Sequence, residues 1–477
     1  MIHFLRKKRQ FPLSVFLSAS QEIEAYKKFL KENNVNLKNI RSLSDFTLSV
    51  PLMDKDNYLR RFPFVELVKN REIPPMVSAS SGSSGKPFYW PRGDDQERAG
   101  GVLHERIFRD IFSIEGKSTL VVVCFSMGNW IAGTFTAASC RYVSRQKDMH
   151  LSVITPGIEK EDILSVLRDF APQFDVVILA GYPPFLMDVI NETKKRDIPL
   201  NKFSLKFLFA GESFSERWRD LICSLAGVSN SLFDTVSVYG TADAGALGHE
   251  TPLSISIRKI AENNEPFRKV LFGEEGFIPS LVQFDPETIY FEAVEGHLAF
   301  TANTGIPLIR YNIKDKGVVF TNSDVVKAAK EAGVYEMLSP HLAKWQLPFV
   351  GLFGRSDVAV TFYALNIYPE NIKAAVERDD FLGKLTGKFL ARVDSDDSQT
   401  EQTLVVMLEL EELQTENEAL KEAITKALFQ SLISLNTEYR KLYNAIGDRA
   451  YPKVELLSYG NEIFRLKKNK QSWVKKN

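Results

Sequence analysis

The chain has 477 residues, of which 44% are hydrophobic and 25% charged, proportions typical of a globular protein long enough for two domains. Lysine and arginine number 60, as do aspartate and glutamate, so no excess of positive charge favours nucleic-acid binding. The sequence has no apolar run of membrane-spanning length, no signal-peptide pattern behind its basic N-terminus, and three scattered cysteines without zinc-ligand spacing, which together predict a cytoplasmic protein.

The central part of the chain alternates strand-like and helix-like patterns. Residues 118–125 (STLVVVCF) form an apolar, β-branched run typical of a buried strand, and residues 160–170 have the apolar spacing of a helix. Residues 175–184, 205–227 and 234–245 each begin as a strand and continue into a turn, a helix or a glycine-rich loop. This alternation predicts α/β units around a mostly parallel sheet, with ligands bound by loops at the carboxyl ends of the strands.

The pattern then changes. Residues 251–277 mix short apolar and charged pieces and are expected to leave the sheet. Residues 282–312 indicate several short strands with turns at 285–286 and 295–296. We therefore predict an antiparallel or barrel-like portion here.

The last part of the chain has the pattern of a small α+β unit. Residues 388–410 indicate two strands joined by a polar loop, and residues 452–460 indicate a final strand. Between them, residues 415–439 have the pattern of an amphipathic helix, with Thr415 and Glu418 at the spacing of a capping box.

These patterns predict two domains. The large one, residues 1–353, is an α/β domain with mostly parallel strands and a barrel-like part. The small C-terminal one, residues 354–477, is an α+β domain.

Residues 78–87 (SASSGSSGKP) form a loop of hydroxyl-bearing side chains and glycines. The loop is not the P-loop of nucleoside triphosphatases, because Gly82 and Gly85 are too close and Pro87 stands where the magnesium-binding hydroxyl should be. Hydroxyls and backbone N–H groups in such a loop can surround a polyphosphate, with Lys86 adding positive charge. An ordinary surface loop is the alternative interpretation.

Two later segments can also be interpreted. Residues 210–216 (AGESFSE) are typical of a helix capped by a serine. Residues 239–245 (YGTADAG) are either a turn at the end of a strand or a site in which Tyr239 lies against a flat ring and Asp243 binds a metal.

The same holds for two segments further along. Residues 306–317 are either a strand and a turn or a site in which Asp315 accepts hydrogen bonds from two sugar hydroxyls. Residues 354–357 (GRSD) are either a turn between domains or a site in which Arg355 holds a ribose or a phosphate.

The order and spacing of these segments are more specific than any segment alone. Together they resemble the adenylate-forming ligases, which include acyl-CoA synthetases, peptide-synthetase adenylation domains and luciferases. Within them the chain is similar to the phenylacetate–CoA ligases, whose corresponding segments are SSGTTGKP, GAEP and GRSD followed by GxNxFPxxIE. Here residues 354–372 are GRSDVAVTFYALNIYPENI, and residues 51–58 (PLMDKDNY) fit the family's early P-x-x-x-K segment. The match runs from about residue 45 onward, apart from residues 251–277.

The resemblance implies a two-step reaction. A carboxylate attacks the α-phosphorus of ATP to give an acyl-adenylate and pyrophosphate, and a thiol, usually that of CoA, then takes the acyl group. The implied cofactors are ATP, Mg²⁺ and CoA, and the implied substrate is an aryl or arylacetic acid. The expected partners are therefore a small carboxylic acid, ATP and CoA or another acyl acceptor, with a homodimer as the expected assembly.

The resemblance also implies roles for individual residues. Asp243 binds the magnesium ion, Tyr239 stacks on the adenine, and Asp357 is the hinge about which the small mobile domain rotates between the half-reactions. A lysine of the C-terminal tail, Lys470 or alternatively Lys468, contacts the carboxylate and the α-phosphate during adenylation. The residues assigned to nucleotide binding are Ser80, Ser81, Gly82, Ser83, Ser84, Gly85, Lys86, Ala210, Gly211, Glu212, Tyr239, Gly240, Thr241, Asp315, Arg355 and Asp357.

The chain departs from the family pattern at two positions. Ala242 stands where the YG loop normally carries a hydroxyl, and Asp243 replaces a glutamate, which removes one phosphate contact and shortens the carboxylate by one methylene. Ala364 replaces a glycine of the segment that lines the pantetheine tunnel in CoA-using relatives. These departures keep two alternatives open: a ligase that passes its acyl group to an amine, an alcohol or a carrier protein, and a non-catalytic nucleotide-binding relative that acts as an interaction protein.

Overall fold

The computed structural model of the chain describes residues 11–79, 88–129, 131–273, 278–355, 360–363, 365–395 and 402–464. The strands are β1 (Met76–Ala79), β2 (Tyr89–Arg92), β3 (Thr119–Cys124), β4 (Leu151–Ile154), β5 (Val176–Gly181), β6 (Ser204–Ala210), β7 (Thr235–Thr241), β8 (Gly245–His249), β9 (Ser280–Gln283), β10 (Ile289–Val294), β11 (His297–Ala302), β12 (Leu308–Phe320), β13 (Phe349–Arg355), β14 (Val360–Phe362), β15 (Leu365–Ile367), β16 (Leu385–Ser395), β17 (Gln402–Leu410) and β18 (Lys453–Leu457).

Helices connect and cover these strands. They are α1 (Phe11–Glu22), α2 (Glu24–Glu32), α3 (Leu43–Ser49), α4 (Phe64–Leu67), α5 (Asp94–Arg106), α6 (Ile131–Val143), α7 (Lys160–Ser165), α8 (Pro183–Lys195), α9 (Glu216–Ala226), α10 (Ser231–Asp234), α11 (Pro252–Asn263), α12 (Glu265–Phe272), α13 (Asn322–Glu331), α14 (Tyr335–Leu342), α15 (Pro369–Val376), α16 (Glu418–Leu435) and α17 (Thr437–Ile446). None of these helices has the length and apolar character needed to cross a membrane.

The centre of the molecule is one eleven-stranded sheet in the order β10-β11-β12-β13-β9-β8-β7-β6-β5-β3-β4. The strands from β7 to β4 run parallel to one another. All residues of β3 and β5 are buried, and alternate residues face two different cores: Val121 and Val123 pack on one side, Leu120 and Val122 on the other. A parallel sheet covered on both faces produces such continuous apolar strands. The predicted α/β units are therefore confirmed.

The other half of the sheet, from β8 to β10, is antiparallel. The turn between β10 and β11 falls at Glu295 and Gly296, which have φ angles of 51° and 77°, as a tight hairpin requires. Helices α1 and α2 pack on this half through residues such as Phe16 and Tyr26. The predicted antiparallel portion is thus confirmed, but it does not close into a barrel. It continues the parallel half as one open sheet with β10 and β4 as its edges.

Residues 251–277 lie outside the sheet as expected, and their described part forms α11 and α12. The side chain of Thr251 accepts a hydrogen bond from the Ser254 N–H and begins α11, with Pro252 in its first turn. Asn264 ends α11 and caps α12 through its side chain.

The last quarter of the chain has its own core. Strands β16, β17 and β18 form a three-stranded sheet, and α15 and α16 pack on it with buried side chains such as Ile372 and Ile424. The predicted boundary between residues 353 and 354 falls inside β13, whose last residue is Arg355. Here we call residues 365–464 the C-terminal part.

The predicted capping box at residues 415 and 418 is wrong. Helix α16 begins at Glu418 because Asn417 is its N-cap, and the Asn417 side chain accepts a hydrogen bond from the Leu420 N–H. The predicted single helix over residues 415–439 is also two helices, because Asn436 ends α16 and caps α17. Asparagine favours helix caps because its short side chain competes for backbone hydrogen bonds.

Candidate active site

Two of the predicted motifs, residues 210–216 and 239–245, meet at one edge of the parallel half of the sheet, together with Tyr182. Tyr182 follows β5, Glu212 lies just beyond the end of β6, and Asp243 follows β7. These strands are neighbours, and Ala210 at the end of β6 lies opposite Val238 of β7. The carboxyl ends of neighbouring parallel strands form the usual ligand-binding edge of an open α/β sheet. The structure thus brings together motifs that lie far apart in the sequence.

Residues 241–245, which we call the Asp243 turn, join β7 to β8. Asp243 is only 4% exposed, and its Oδ2 accepts a hydrogen bond of 2.6 Å from the Tyr311 hydroxyl. The Nζ of Lys55 lies 3.0 Å from the same oxygen. A buried carboxylate needs such partners to offset the loss of hydration. The ion pair and the hydroxyl therefore hold the Asp243 carboxylate in a defined position.

The two carbonyls beside Asp243 are also held. The Nη2 of Arg92 donates a hydrogen bond to the Ala242 carbonyl, and the Nε2 of Gln96 donates one of 2.8 Å to the Ala244 carbonyl. Burial lowers the pKa of Arg92 to about 10, so its guanidinium remains charged at neutral pH. Two cations, Arg92 and Lys55, therefore lie beside a single carboxylate in this region.

Tyr239 and Asp315, the predicted adenine and ribose residues, are in direct contact. The Tyr239 hydroxyl donates a hydrogen bond of 2.6 Å to Oδ2 of Asp315, which is 5% exposed. The backbone of Asp315 lies opposite that of Arg355 in the pairing of β12 with β13. One face of the Tyr239 ring is near Phe291, with centroids 6.2 Å apart and an interplanar angle of 29°. The sequence prediction grouped these residues by resemblance, and the structure places them together.

Residues 211–215, which we call the Glu212 turn, follow β6. Gly211 begins this turn with a φ of 91°, a conformation that strongly favours glycine. Oε2 of Glu212 accepts a hydrogen bond of 3.2 Å from the Tyr182 hydroxyl, and its Oε1 accepts one of 2.7 Å from Nζ of Lys373. Lys373 belongs to α15, so a residue of the C-terminal part contacts the predicted adenine-binding turn.

Two partly buried glutamates of the C-terminal part contact the same turn. The Ser213 hydroxyl donates to Oε1 of Glu370 at 3.3 Å, and the Ser215 N–H donates to Oε2 of Glu377 at 3.2 Å. Burial raises the pKa of Glu370 to about 7, although the positive charge of Lys373 acts in the opposite direction. Burial also raises the pKa of Glu377. The contact between the C-terminal part and the Glu212 turn is therefore sensitive to protonation.

Several predicted site residues lie outside the part of the chain that the structure describes, and for Arg355 only the backbone is described. They are Ser80, Ser81, Gly82, Ser83, Ser84, Gly85, Lys86, Asp357, Lys468 and Lys470, together with Ala364.

Sequence reasoning missed the residues that support the site. Tyr311 lies in the segment that contains Asp315, and Lys373 lies one helical turn after the proline that begins α15, but neither position was singled out. Arg92 and Gln96 were missed as well. Arg92 and Gln96 donate to the backbone carbonyls of Ala242 and Ala244. Any residue type has such a carbonyl, so the sequence of the turn does not indicate that it is bound by these two side chains.

The acidic side chains fit a magnesium ion that arrives with the nucleotide better than one held by the protein alone. Within the described ranges, histidine, cysteine, aspartate and glutamate form no cluster of three or more that could hold a metal. Asp243 offers one carboxylate, whose Oδ2 is contacted by Lys55 and Tyr311. Magnesium in nucleotide sites commonly takes one or two carboxylates plus phosphate oxygens and waters. A single carboxylate at this edge is compatible with that arrangement.

Comparison with known proteins gives the same picture as the motifs. No family model matches the chain. A phenylacetate–coenzyme A ligase from Aromatoleum evansii is 23% identical over 419 residues, which cover 86% of this chain and 83% of that protein. A phenylacetate–coenzyme A ligase from Thermus thermophilus is 21% identical over 362 residues, 75% of this chain and 71% of that protein.

Solved structures share the fold over nearly the whole chain. A 2-hydroxyisobutyryl-CoA ligase in the postadenylation state, in complex with an acyl-AMP, has a TM-score of 0.70 at 18% identity and covers 98% of this chain and 89% of its own. An acyl acid amido synthetase in complex with 2,4-DB has a TM-score of 0.62 at 14% identity, covering 99% and 91%. The chain therefore has the fold of the adenylate-forming enzymes, and its sequence resembles the phenylacetate–CoA ligases over most of its length.

Proposed function

We propose that this chain is an acid–thiol ligase that activates a carboxylic acid with ATP and transfers the acyl group to CoA, with release of AMP and pyrophosphate. One observation carries the proposal: Asp243, the Tyr239–Asp315 pair and the Glu212 turn converge at the carboxyl edge of neighbouring strands. The names of the two curated relatives support an aryl or arylacetic acid as the substrate class.

The chemistry needs positioning more than a side-chain nucleophile. In the first step, a carboxylate oxygen of the acid bonds to the α-phosphorus while the bond to the bridging oxygen breaks and pyrophosphate leaves. In the second step, the CoA thiol loses its proton as its sulfur bonds to the acyl carbon, and the bond from that carbon to the phosphate oxygen of AMP breaks, so that AMP leaves. Enzymes accelerate such steps largely by orientation and by neutralising phosphate charge. Arg92 supplies a buried positive charge at this edge, and Lys55, whose side chain is 29% exposed, adds a second positive charge.

The proposed nucleotide roles follow from the described contacts. Asp315, held by the Tyr239 hydroxyl, accepts hydrogen bonds from the ribose hydroxyls. In the proposed site Tyr239 stacks on the adenine, and Phe291 lies beside the Tyr239 ring with centroids 6.2 Å apart. Asp243 provides a carboxylate oxygen for magnesium, which would neutralise phosphate charge when bound. A tail lysine, Lys470 or Lys468, and the loop of residues 80–86 complete the proposed site.

The acyl acceptor has a second candidate. The fold is shared with an acyl acid amido synthetase at a TM-score of 0.62. Together with Ala364 in the predicted pantetheine segment, this likeness favours an amine as the alternative to CoA. A cytoplasmic location belongs to the proposal and is supported by the burial of all three cysteines as free thiols, which suits a reducing compartment. A homodimer and a hinge at Asp357 also belong to the proposal.

Acid-dependent exchange of radiolabel between pyrophosphate and ATP tests adenylation directly. The panel contains aryl, arylacetic, short-chain and fatty acids, and the Asp315→Ala variant is the negative control. We expect exchange with one acid class and its loss in Asp315→Ala. Tyr239→Phe, which keeps the ring but removes the hydroxyl that holds Asp315, should weaken exchange less than Asp315→Ala does. Adding CoA or an amine to active mixtures then identifies the acceptor.

The assay can also reject the proposal. Nucleotide binding without exchange for any acid would favour a non-catalytic relative. Absence of binding for ATP, AMP and adenosine would exclude the ligase function.

A further inference from the structure

Strand β2 carries two buried nitrogen donors beside the Asp243 turn. Trp90 and Arg92 are two residues apart in this strand, so their side chains lie on the same face. They are 1% and 2% exposed. Among the residues that the structure describes, no acceptor bonds to Nε1 of Trp90 or to Nη1 of Arg92. Buried donors are nearly always paired in folded proteins, so these two indicate a place for an acceptor from outside the fold.

The remaining nitrogens of Arg92 fix the orientation of its guanidinium. The Nη2 donates to the Ala242 carbonyl, and the Nε donates to the Ser78 hydroxyl at 3.4 Å. A guanidinium is planar, so these two contacts also set the direction of Nη1. Arg92 thus presents a buried donor with a defined geometry next to Ala242.

The surroundings carry an excess of positive charge. The Lys55 Nζ lies 5.8 Å from the centroid of the Trp90 ring and 3.0 Å from Oδ2 of Asp243. Lys55 and Arg92 together bring two positive charges to the single negative charge of Asp243. A buried site with net positive charge and unpaired donors favours an oxyanion, because charge-assisted hydrogen bonds are short and strong.

We infer that Arg92 and Trp90 form an oxyanion-binding subsite beside Asp243, which takes a phosphate oxygen of the nucleotide or a carboxylate oxygen of the acid. The inference rests on the proposed function, which supplies both oxyanions. It also explains how the turn tolerates Ala242: the hydroxyl that this position lacks is replaced by a donor from β2. A phosphate is favoured because β2 begins at Tyr89, two residues after the end of the predicted phosphate loop in the sequence.

Isothermal titration of the full chain with adenosine, AMP, pyrophosphate and phenylacetate tests this subsite. The Trp90→Phe variant removes the Nε1 donor but keeps a ring, and Arg92→Met removes the charge. We expect Arg92→Met to weaken AMP and pyrophosphate binding roughly tenfold to hundredfold and Trp90→Phe roughly twofold to tenfold. Adenosine binding should change by less than about twofold, because adenosine lacks the oxyanion.

Gln96→Met is the matched control. Gln96 holds the Ala244 carbonyl as Arg92 holds the Ala242 carbonyl, so its loss loosens the same turn without removing a charge. We expect this variant to change adenosine and AMP binding by the same factor. If phenylacetate affinity falls in Arg92→Met while AMP affinity does not, the oxyanion is the carboxylate of the acid.

The outcomes separate this inference from the proposed function. Equal losses for adenosine and AMP in Trp90→Phe, or unchanged affinities for every probe, would overturn the subsite. Pyrophosphate binding that depends on Arg92 in a chain that binds no nucleotide would keep the subsite but exclude the ligase. A wild-type chain that binds none of the four probes would overturn both. Where Arg92→Met does not fold, as thermal unfolding will show, Trp90→Phe decides.

Discussion

The two turns at the carboxyl ends of β6 and β7 are held by different parts of the molecule. The Asp243 turn is contacted by Lys55, Arg92 and Tyr311, which all belong to the part of the chain that forms the large sheet. The Glu212 turn is contacted by Lys373 and Glu370 of α15. The Asp243 turn is therefore held by residues that precede the C-terminal part, whereas the Glu212 turn depends on the position of the C-terminal part.

This difference bears on the proposed reaction. Adenylation and thiol transfer need different surroundings for the same acyl group, and movement of a domain is a common way to exchange them. If the C-terminal part moves, the Lys373–Glu212 ion pair must break, because the two residues lie on opposite sides of the contact. The contacts of Asp243 need not change. The contacts of the Glu212 turn are thus the ones in the site that change when the C-terminal part moves.

A buried ion network connects α9 to β7, the strand that leads to the Asp243 turn. Arg219 of α9 is 0% exposed, and its guanidinium lies 2.8 Å from Oε2 of Glu216 and 2.7 Å from Oε1 of Glu250. It also donates to the Thr235 hydroxyl at 2.6 Å, and Glu250 accepts a hydrogen bond from the backbone of Ser237. Arg219 therefore connects α9 to β7, the strand that carries Tyr239 and leads to Asp243.

Arg219→Met should give the largest loss of stability. Removing Arg219 leaves the two buried carboxylates of Glu216 and Glu250 with Arg258 as their shared cation, and breaking a buried charge network in this way costs about 3–5 kcal/mol. Unfolding in urea, followed by circular dichroism, measures this loss. The matched control is Arg196→Met, because Arg196 pairs with Glu161 at the surface, where the two side chains are 39% and 72% exposed. A loss below about 1 kcal/mol for Arg219→Met would show that the network does not stabilise β7.

Lys373→Met should loosen the Glu212 turn alone. The variant removes the cation that pairs with Glu212 and donates to the Ser213 carbonyl at 2.8 Å. Loss of these buried contacts costs about 1–3 kcal/mol. Hydrogen exchange should therefore become at least about tenfold faster at residues 213–215 and stay unchanged at Ala244, whose N–H donates to the Thr241 hydroxyl. Equal acceleration in both turns would contradict the separation proposed here.

The contact of α15 with the Glu212 turn should strengthen as the pH falls. Glu370 has a pKa of about 7 in this contact, raised by burial, against an ordinary value of 4.5 when solvated. Glu370 therefore binds its proton more tightly when α15 contacts the Glu212 turn than when the two are apart. Stabilisation by that proton is lost as the pH rises from about 4.5 to 7, and the raised pKa of Glu377 acts in the same direction.

Fluorescence transfer between two exposed sites measures this pH dependence. Leu48 and Leu413 are 82% and 97% exposed, so cysteines at these positions accept dyes, while the native cysteines are buried. We expect the ratio of closed to open molecules to fall by up to about twentyfold between pH 5.5 and 7.5. Glu370→Gln, which cannot ionise, should remove most of this change. A ratio independent of pH in the unmodified chain would mean that the Glu370 proton does not control the contact.

Much of the fold could be predicted from the sequence because the patterns of strands, helices and turns are local and periodic. The apolar runs at Thr119–Cys124 and Val176–Gly181 predicted buried strands, and the glycine at residue 296 predicted a hairpin turn. Errors occurred where two local signals competed, as when Asn417 rather than Thr415 capped α16. The single open sheet was missed, since strand patterns do not reveal which strands lie side by side.

Only part of the candidate site could be predicted from the sequence. Tyr239, Asp243 and Asp315 were predicted as site residues because their motifs keep a fixed order along the chain. The residues that hold them, such as Arg92 and Lys373, act through contacts between positions separated by 150 or 161 residues. Sequence patterns of a single chain carry no information on such pairs.

Lys195→Met should have the smallest effect of the four predictions and shows which contacts of the C-terminal part matter. Lys195 and Lys388 both link α8 to that part, but the Lys195–Glu412 pair is 42% and 47% exposed, whereas the Lys388–Asp188 pair is 15% and 18% exposed. An exposed ion pair contributes less than about 0.5 kcal/mol because water screens it.

Lys388→Met, in contrast, leaves Asp188 and Glu409 without their shared cation and should cost about 2 kcal/mol. Fluorescence transfer at the Leu48 and Leu413 positions should therefore change in Lys388→Met and not in Lys195→Met. The reverse result would mean that the surface pair, rather than the buried one, holds the C-terminal part against α8.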